Sequence, residues 1–145
     1  MPTALVALIA LAGGVAAGLQ AQLVSFLGQR IGTMGSVFVT HLGGAVIAFA
    51  LLFATPTGSL SSWRGVPWYL LVATGALGVA LLSAFSYTIP RLGVAATLTL
   101  VVMAQLTIGA LADQFGFLGV PVRQLDASRI AGIAVLMVGT WLVVR

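Results

Sequence analysis

The sequence predicts an all-α integral membrane protein with five transmembrane helices. Of its 145 residues, 61% are hydrophobic and 6% are charged, and the mean hydropathy of +1.20 lies far above that of soluble domains. A helix needs about 20 mostly apolar residues to cross the hydrocarbon, whereas a barrel strand would show about ten residues of alternating hydrophobicity. We predict one transmembrane domain over residues 1–145, with helices at about 3–28, 34–54, 67–89, 92–114 and 127–144.

The first predicted helix carries small residues and amides. Gly14 and Gly18 form a pattern that lets helix backbones approach closely, and Gln22 continues their face one turn later, beside Gln20. Because amides turned to lipid would leave donors and acceptors unmatched, we expect Gln20 and Gln22 to be buried.

The second predicted helix carries His41, the single histidine of the chain. Its charge can change near neutral pH, which suits a proton carrier or a hydrogen-bond partner for a solute. Alternatively, His41 is a neutral side chain bonded to a backbone carbonyl or to Gln22, since a short turn over residues 28–34 makes the first two helices neighbours. Both interpretations stay open.

A polar connector over residues 55–67, rich in proline and glycine, separates the second helix from the third. The third helix ends in Ser83, Ser86 and Tyr87 before a predicted turn at Pro90. Their hydroxyls could line a cavity, although a serine in a membrane helix often bonds to its own preceding carbonyl.

The fourth predicted helix places a polar stripe on an apolar background. Gln105, Gly109 and Asp113 are spaced at i, i+4 and i+8, which puts them on one helix face. Polar groups inside a membrane are rare and often mark functional sites. Gln105 is the deeper binding candidate, whereas Asp113 near the helix end is either a rim carboxylate paired with Arg123 or Arg129, or a coupling acid.

The fifth predicted helix is short and follows a loop that ends at Asp126. Asp126 is a plausible N-cap for this helix. Gly132 and Gly139 suggest that the helix serves packing more than binding.

Composition excludes several classes of function. Without cysteine the chain has no disulfide, thiolate metal site or cysteine nucleophile. One histidine, two aspartates and no glutamate make neither a metal cluster nor a convincing catalytic set, so we predict no metal, no cofactor and no enzyme. No arginine cluster or stacking platform indicates a nucleic-acid partner.

The arginines predict a balanced orientation in the bilayer. With five crossings, three of the six arginines lie on each side of the membrane: Arg64, Arg123 and Arg129 on one side, and Arg30, Arg91 and Arg145 on the other. Because Lys/Arg bias sets orientation, a tie predicts insertion in both directions and an antiparallel homodimer of ten helices. Alternatively, the tie is accidental, or the partner is a related chain whose Lys/Arg bias is opposite.

Three segments carry a resemblance to a known family. They are the glycine-rich first helix with Gln20 and Gln22, the IPRLGVA segment at 89–95, and QLTIGALADQFGFLGVPVRQLDASRIAGI at 105–133. In these segments the chain resembles the five-helix YdcZ-like (DUF606) branch of the drug/metabolite transporter superfamily. The resemblance implies a multi-pass protein of the bacterial inner membrane, small-molecule transport, and one half of a ten-helix inverted-repeat assembly.

The chain also departs from these relatives. Val24 and Ser25 stand where members of the branch usually show an asparagine after the first-helix glutamine. The related small multidrug-resistance dimers couple export to protons through a membrane glutamate, which this sequence lacks. Either Asp113 or His41 replaces that glutamate, or coupling differs, or transport is passive.

The resulting prediction is a transporter of small polar or amphipathic solutes that works by alternating access as an antiparallel homodimer in the bilayer. The predicted substrate-binding residues are Gln20, Gln22, His41 and Gln105, with Asp113 as a coupling or rim residue and Gly14, Gly18 and Gly109 as helix-packing residues. The alternative is a channel, or a packing subunit that needs a partner chain to transport.

Overall fold

A computed structural model describes residues 3–54, 63–119 and 121–145 of the chain, and it confirms the predicted five-helix fold. The helices are α1 (Thr3–Ile31), α2 (Thr33–Ala54), α3 (Trp68–Leu92), α4 (Val94–Phe115) and α5 (Ala127–Val144). Single 3-10 turns lie at Trp63–Gly65 and Phe117–Gly119, and the described residues contain no strand. All five helices are long and apolar enough to cross a membrane. Most of the predicted connector, residues 55–62, lies outside the described residues.

The turn between α1 and α2 is shorter than predicted, because α1 continues to Ile31. The guanidinium of Arg30 lies 4.8 Å from the ring centroid of Phe26, one turn earlier on α1, and a cation is favoured in the last turn of a helix. Gly32 alone separates the two helices, with φ of +79°. Glycine is suited to this left-handed conformation because it has no Cβ.

The predicted end of α3 at residue 89 is wrong, because the helix continues through Pro90 to Leu92. A proline in a helix interior removes a hydrogen bond and clashes with the preceding turn. Pro90 lies in the last turn of α3, and in membranes neighbouring groups make such prolines tolerable. The helix ends at Leu92, because the next residue, Gly93, has a φ of +83° that does not continue a helix.

The chain divides into two compact units, Met1–Pro90 and Arg91–Arg145. In the first unit α1 packs against α2, and α3 closely approaches α1 where Ser86 faces Gly28. In the second unit α4 packs against α5. The single domain over residues 1–145 stays a prediction.

Most side chains of the helices are not covered by the chain itself. In the most apolar 18-residue window of each helix, at most 17% of the residues are buried. Burying apolar surface is the main favourable term in folding, so lipid or another protein chain must cover these faces. Within the first unit, the buried side chains lie toward one end of α1, α2 and α3, in a set that includes Ala21, Val24, Val37, Leu82 and Phe85.

Candidate functional site

The polar stripe of α4 lines a groove between α4 and α5. Gln105, Gly109 and Asp113 face Arg129 and Gly132 of α5 across a cleft of about 370 Å³. The groove is open because neither glycine has a side chain, and a Cβ added at either position would meet no heavy atom within 4 Å. The helical spacing of the stripe thus brings an amide and a carboxylate into the same groove.

An ion pair spans this groove near the end of α4. Nη1 of Arg129 lies 3.3 Å from Oδ2 of Asp113, and the two side chains are 36% and 33% exposed. The sequence predicted Arg123 or Arg129 as the partner of Asp113, and the side chain that pairs with it is that of Arg129. Arg123 contacts Asp113 through its backbone, where its N–H donates to the Asp113 carbonyl over 2.8 Å.

A glutamine that sequence reasoning missed holds the following loop in place. Oε1 of Gln114 accepts a hydrogen bond of 2.7 Å from the backbone N–H of Leu125. The loop before α5 is thus attached to the last turn of α4 by both Asp113 and Gln114. The available signal was a polar side chain adjacent to Asp113 at a helix end, but the spacing i, i+4, i+8 includes only Gln105, Gly109 and Asp113.

The predicted N-cap of α5 is confirmed. Oδ1 of Asp126 accepts hydrogen bonds of 2.8 Å from the Arg129 backbone N–H and from the Ser128 hydroxyl. The Arg129 backbone N–H, the Ser128 hydroxyl and the charge of Arg129 together hold the pKa of Asp126 below its usual value of 3.8. This cap fixes the backbone from which Arg129 reaches Asp113.

A second groove lies within the first unit and contains the histidine. It has a volume of about 370 Å³ and is lined by Gln20, Thr40, His41, Gly44, Ala45, Ala48 and Leu82. Nδ1 of His41 lies 2.8 Å from the Val37 carbonyl oxygen. A carbonyl can only accept, so Nδ1 donates, and in the neutral ring Nε2 is left as an acceptor. Of the partners expected for a neutral His41, the backbone carbonyl is the one observed.

The glycine opposite the histidine lets the ring fit. A Cβ added at Gly78 of α3 would lie 2.9 Å from Nε2 of His41, which is closer than real Cβ contacts. The ring therefore rests against the backbone of α3, with its orientation set by Val37 on one side and Gly78 on the other.

The expected burial of the first-helix amides is wrong for the single chain, because Gln20 and Gln22 are both exposed. The buried face of α1 runs instead through Ala21, Val24 and Ser25. Two residues apart on a helix means about 200° of rotation, so the amides flank this face rather than sharing one. Gln20 lines the histidine groove, whereas Gln22 lines neither groove.

The predicted packing glycines of α1 contact little within the chain. A Cβ at Gly14 would meet no heavy atom within 4 Å, and Gly18 is half-buried. The close helix contact of α1 occurs at Gly28 instead, where an added Cβ would overlap Oγ of Ser86. That serine hydroxyl donates to Oγ1 of Thr33 over 3.3 Å, so it bonds across helices and not to its own preceding turn.

The predicted site residues therefore fall into two groups, each within one unit. Gln20 and His41 share the groove of the first unit, and Gln105, Gly109 and Asp113 share the groove of the second. Within residues 3–54, 63–119 and 121–145, no three His, Cys, Asp or Glu side chains come close enough to hold a metal ion. Both grooves offer hydrogen bonds, and the second adds a pair of opposite charges.

Comparison with known proteins identifies a family. The family described as "Putative inner membrane exporter, YdcZ" matches residues 5–142. No curated protein and no solved structure matches the chain.

Proposed function

The chain belongs to the YdcZ family, and from that membership we propose that it transports small polar or amphipathic solutes by alternating access as an antiparallel homodimer. The family description names an inner membrane exporter and not an enzyme, and the five apolar helices agree with a multi-pass protein of the inner membrane. The solute class, the alternating access and the antiparallel homodimer are supported by the two grooves, the arginines and the exposed amides.

The observation that carries the proposal is the polar lining of the α4–α5 groove. Gln105, Asp113 and Arg129 line a cleft of about 370 Å³ on helices that are otherwise apolar. That volume lies near the lower end of small-molecule pockets, which run from about 300 to 1,000 Å³. Since polar side chains at membrane depth are costly, a solute pathway gives a physical reason for their presence.

The histidine groove supplies a second set of hydrogen-bonding groups. The Val37 carbonyl and the backbone at Gly78 orient the ring of His41, which lines the same groove as Gln20. A neutral His41 accepts a hydrogen bond at Nε2, and a protonated one donates there. We propose Gln20, His41 and Gln105 as substrate-binding residues, with Asp113 at the rim of its groove.

An exposed amide on α1 supports a second copy of the chain. Gln22 lies about 8 Å from the midpoint of α1, at 1.5 Å per residue, and the hydrocarbon extends about 15 Å from the bilayer centre. It is exposed on the single chain, and an unpaired amide in hydrocarbon costs several kcal/mol. In a dimer that buries the Gly14, Gly18 and Gln22 face, the second copy covers this amide.

The arginine tie gives the two copies opposite orientations. Three arginines fall on each side of five crossings, so the positive-inside rule prefers neither direction. Alternating access commonly uses two inverted halves around a central site. One five-helix chain inserted both ways would supply both halves.

The test is solute flux into liposomes that contain the purified full-length protein. We expect saturable flux that Gln105→Leu and His41→Leu each reduce about ten-fold, because a lost hydrogen bond to a solute costs about 1.4 kcal/mol. Gln124→Leu is the matched control, since Gln124 is exposed and lines neither groove.

Three outcomes would contradict the proposal. Unchanged flux in both groove variants would remove the site assignment. Flux that rises linearly with the gradient and never saturates would identify a channel. Flux that appears only after a second, different chain is added would identify a subunit.

A further inference from the structure

The charges in the α4–α5 groove are only partly paired with each other. Their single contact joins Nη1 of Arg129 to Oδ2 of Asp113 at 3.3 Å, which is long for an ion-paired hydrogen bond. A guanidinium has five N–H donors and a carboxylate has two oxygens. Within the described part of the chain, Oδ1 of Asp113 and the other guanidinium donors of Arg129 form no hydrogen bond. Both charges therefore retain bonding capacity for a ligand.

The opposite signs of these charges select among ligands. A cation that bonded Asp113 would also approach the guanidinium of Arg129, and an anion on Arg129 would approach the carboxylate. Like charges brought together weaken binding and are a common basis of specificity. A molecule that carries one ammonium and one acidic group satisfies both side chains without leaving either charge opposed.

The remainder of the groove is apolar. Its walls beyond the charges and Gln105 are formed by Leu106, Ala110, Leu125 and Ile133. Gly109 and Gly132 leave open space between these walls. An aliphatic side chain several carbons long would be removed from water along this surface, which favours binding in proportion to the apolar area that is buried.

We propose that the α4–α5 groove binds a small zwitterion with an aliphatic side chain, of the class of leucine, with its carboxylate on Arg129 and its ammonium on Asp113. The proposal rests on the transport function above and names its substrate class. The same ammonium and acid pattern occurs in the headgroup of an ethanolamine phospholipid. We assign the site to the free amino acid, because the apolar walls end at Gln105, whose amide suits a short solute better than two long acyl chains.

The experiment compares three molecules of nearly the same shape on the purified full-length protein. Leucine carries both charges, isoamylamine lacks the carboxylate, and 4-methylpentanoate lacks the ammonium. In calorimetric titrations we expect leucine to bind at least about ten-fold more tightly than either single-charge analogue. We expect Asp113→Asn and Arg129→Gln each to weaken leucine binding about ten-fold, which corresponds to about 1.4 kcal/mol.

Two further variants separate binding from structure. Arg123→Gln is the matched control, because its side chain does not line the groove, and it should bind leucine normally. Gly109→Val leaves both charges in place but fills the open space at Gly109, and it should lose leucine binding. Leucine binding as weak as that of the analogues would overturn the proposal. So would variants of Asp113 and Arg129 that melt earlier yet bind leucine with unchanged affinity, because the pair would then be structural.

To test whether the site binds the ethanolamine headgroup of a lipid instead, leucine binding is measured in nanodiscs of phosphatidylglycerol with and without phosphatidylethanolamine. Equal leucine affinity in both supports the free solute, and loss of binding when the ethanolamine lipid is present overturns the assignment. Leucine binding without leucine flux in liposomes would leave the zwitterion site standing and remove the transport function. Saturable flux of another solute without leucine binding would overturn the zwitterion site and leave the transport function standing.

Discussion

Replacing Gly28 with alanine should destabilise the protein by an amount that depends on one serine. The new Cβ would overlap Oγ of Ser86 and lie 3.2 Å from its Cβ. Oγ must turn away, which breaks its hydrogen bond to Oγ1 of Thr33, a loss of about 1 kcal/mol. The remaining carbon contact is still tight, so the total cost expected for overpacking is about 1–3 kcal/mol.

The double variant Gly28→Ala/Ser86→Ala isolates this contact. Removing Oγ of Ser86 relieves the overlap, so alanine at Gly28 should cost less in this background, by about 1 kcal/mol. Gly13→Ala is the matched control on the same helix, because an added Cβ there meets no heavy atom within 4 Å.

The free energy of unfolding is measured for each variant in mixed micelles as the denaturing detergent is increased, with circular dichroism as the readout. Gly13→Ala should not lower this free energy. A Gly28→Ala protein as stable as wild type, or one whose loss is equally large in the Ser86→Ala background, would refute the close packing of α1 and α3.

Two other predictions concern the site and the cap of α5. Gly78→Ala should turn the ring of His41, because its Cβ would lie 2.9 Å from Nε2; solute flux should fall about five-fold, equivalent to about 1 kcal/mol, and should not fall further when His41 is already leucine. Asp126 has a lowered pKa, so its capping contribution is fully present above the usual value of 3.8 and is lost as pH falls through the lower folded value. Hydrogen exchange should then show protection of the Arg129 amide falling below pH 3.8, whereas Asp126→Asn, which keeps the acceptor oxygen but does not titrate, should lack this dependence; an identical pH profile for the two proteins would contradict the cap assignment.

Hydrophobicity alone was sufficient to predict the five helices, because the need to cross hydrocarbon fixes both their length and their composition. It did not fix their ends. Pro90 predicted an end of α3 before it, yet the helix continues to Leu92, because neighbouring groups in a membrane can compensate for the backbone hydrogen bond that a proline removes. Helix spacing likewise predicted that Gln105 and Asp113 share a face, and both line the α4–α5 groove.

Contacts between distant residues were harder to predict. The sequence left Asp113 with two candidate arginines, because Arg123 and Arg129 both follow it closely, and only the folded structure selects Arg129. It gave no reason to pair Ser86 with Thr33, 53 positions apart in the sequence. The expected burial of Gln20 and Gln22 is not met within the single chain, because the cost of an amide in lipid does not specify whether its own chain or a second copy covers it. Which residues bind a solute stays a prediction.

The antiparallel homodimer is tested most directly by the side of the membrane on which the C-terminus lies. The chain contains no cysteine, so one cysteine appended after Arg145 gives a unique site for a membrane-impermeant maleimide and leaves the arginine balance intact. We expect about half of the molecules to be labelled from each side of the inner membrane, and we expect two lysines beside the new cysteine to shift that ratio. Labelling of every molecule from the same side would contradict the antiparallel homodimer.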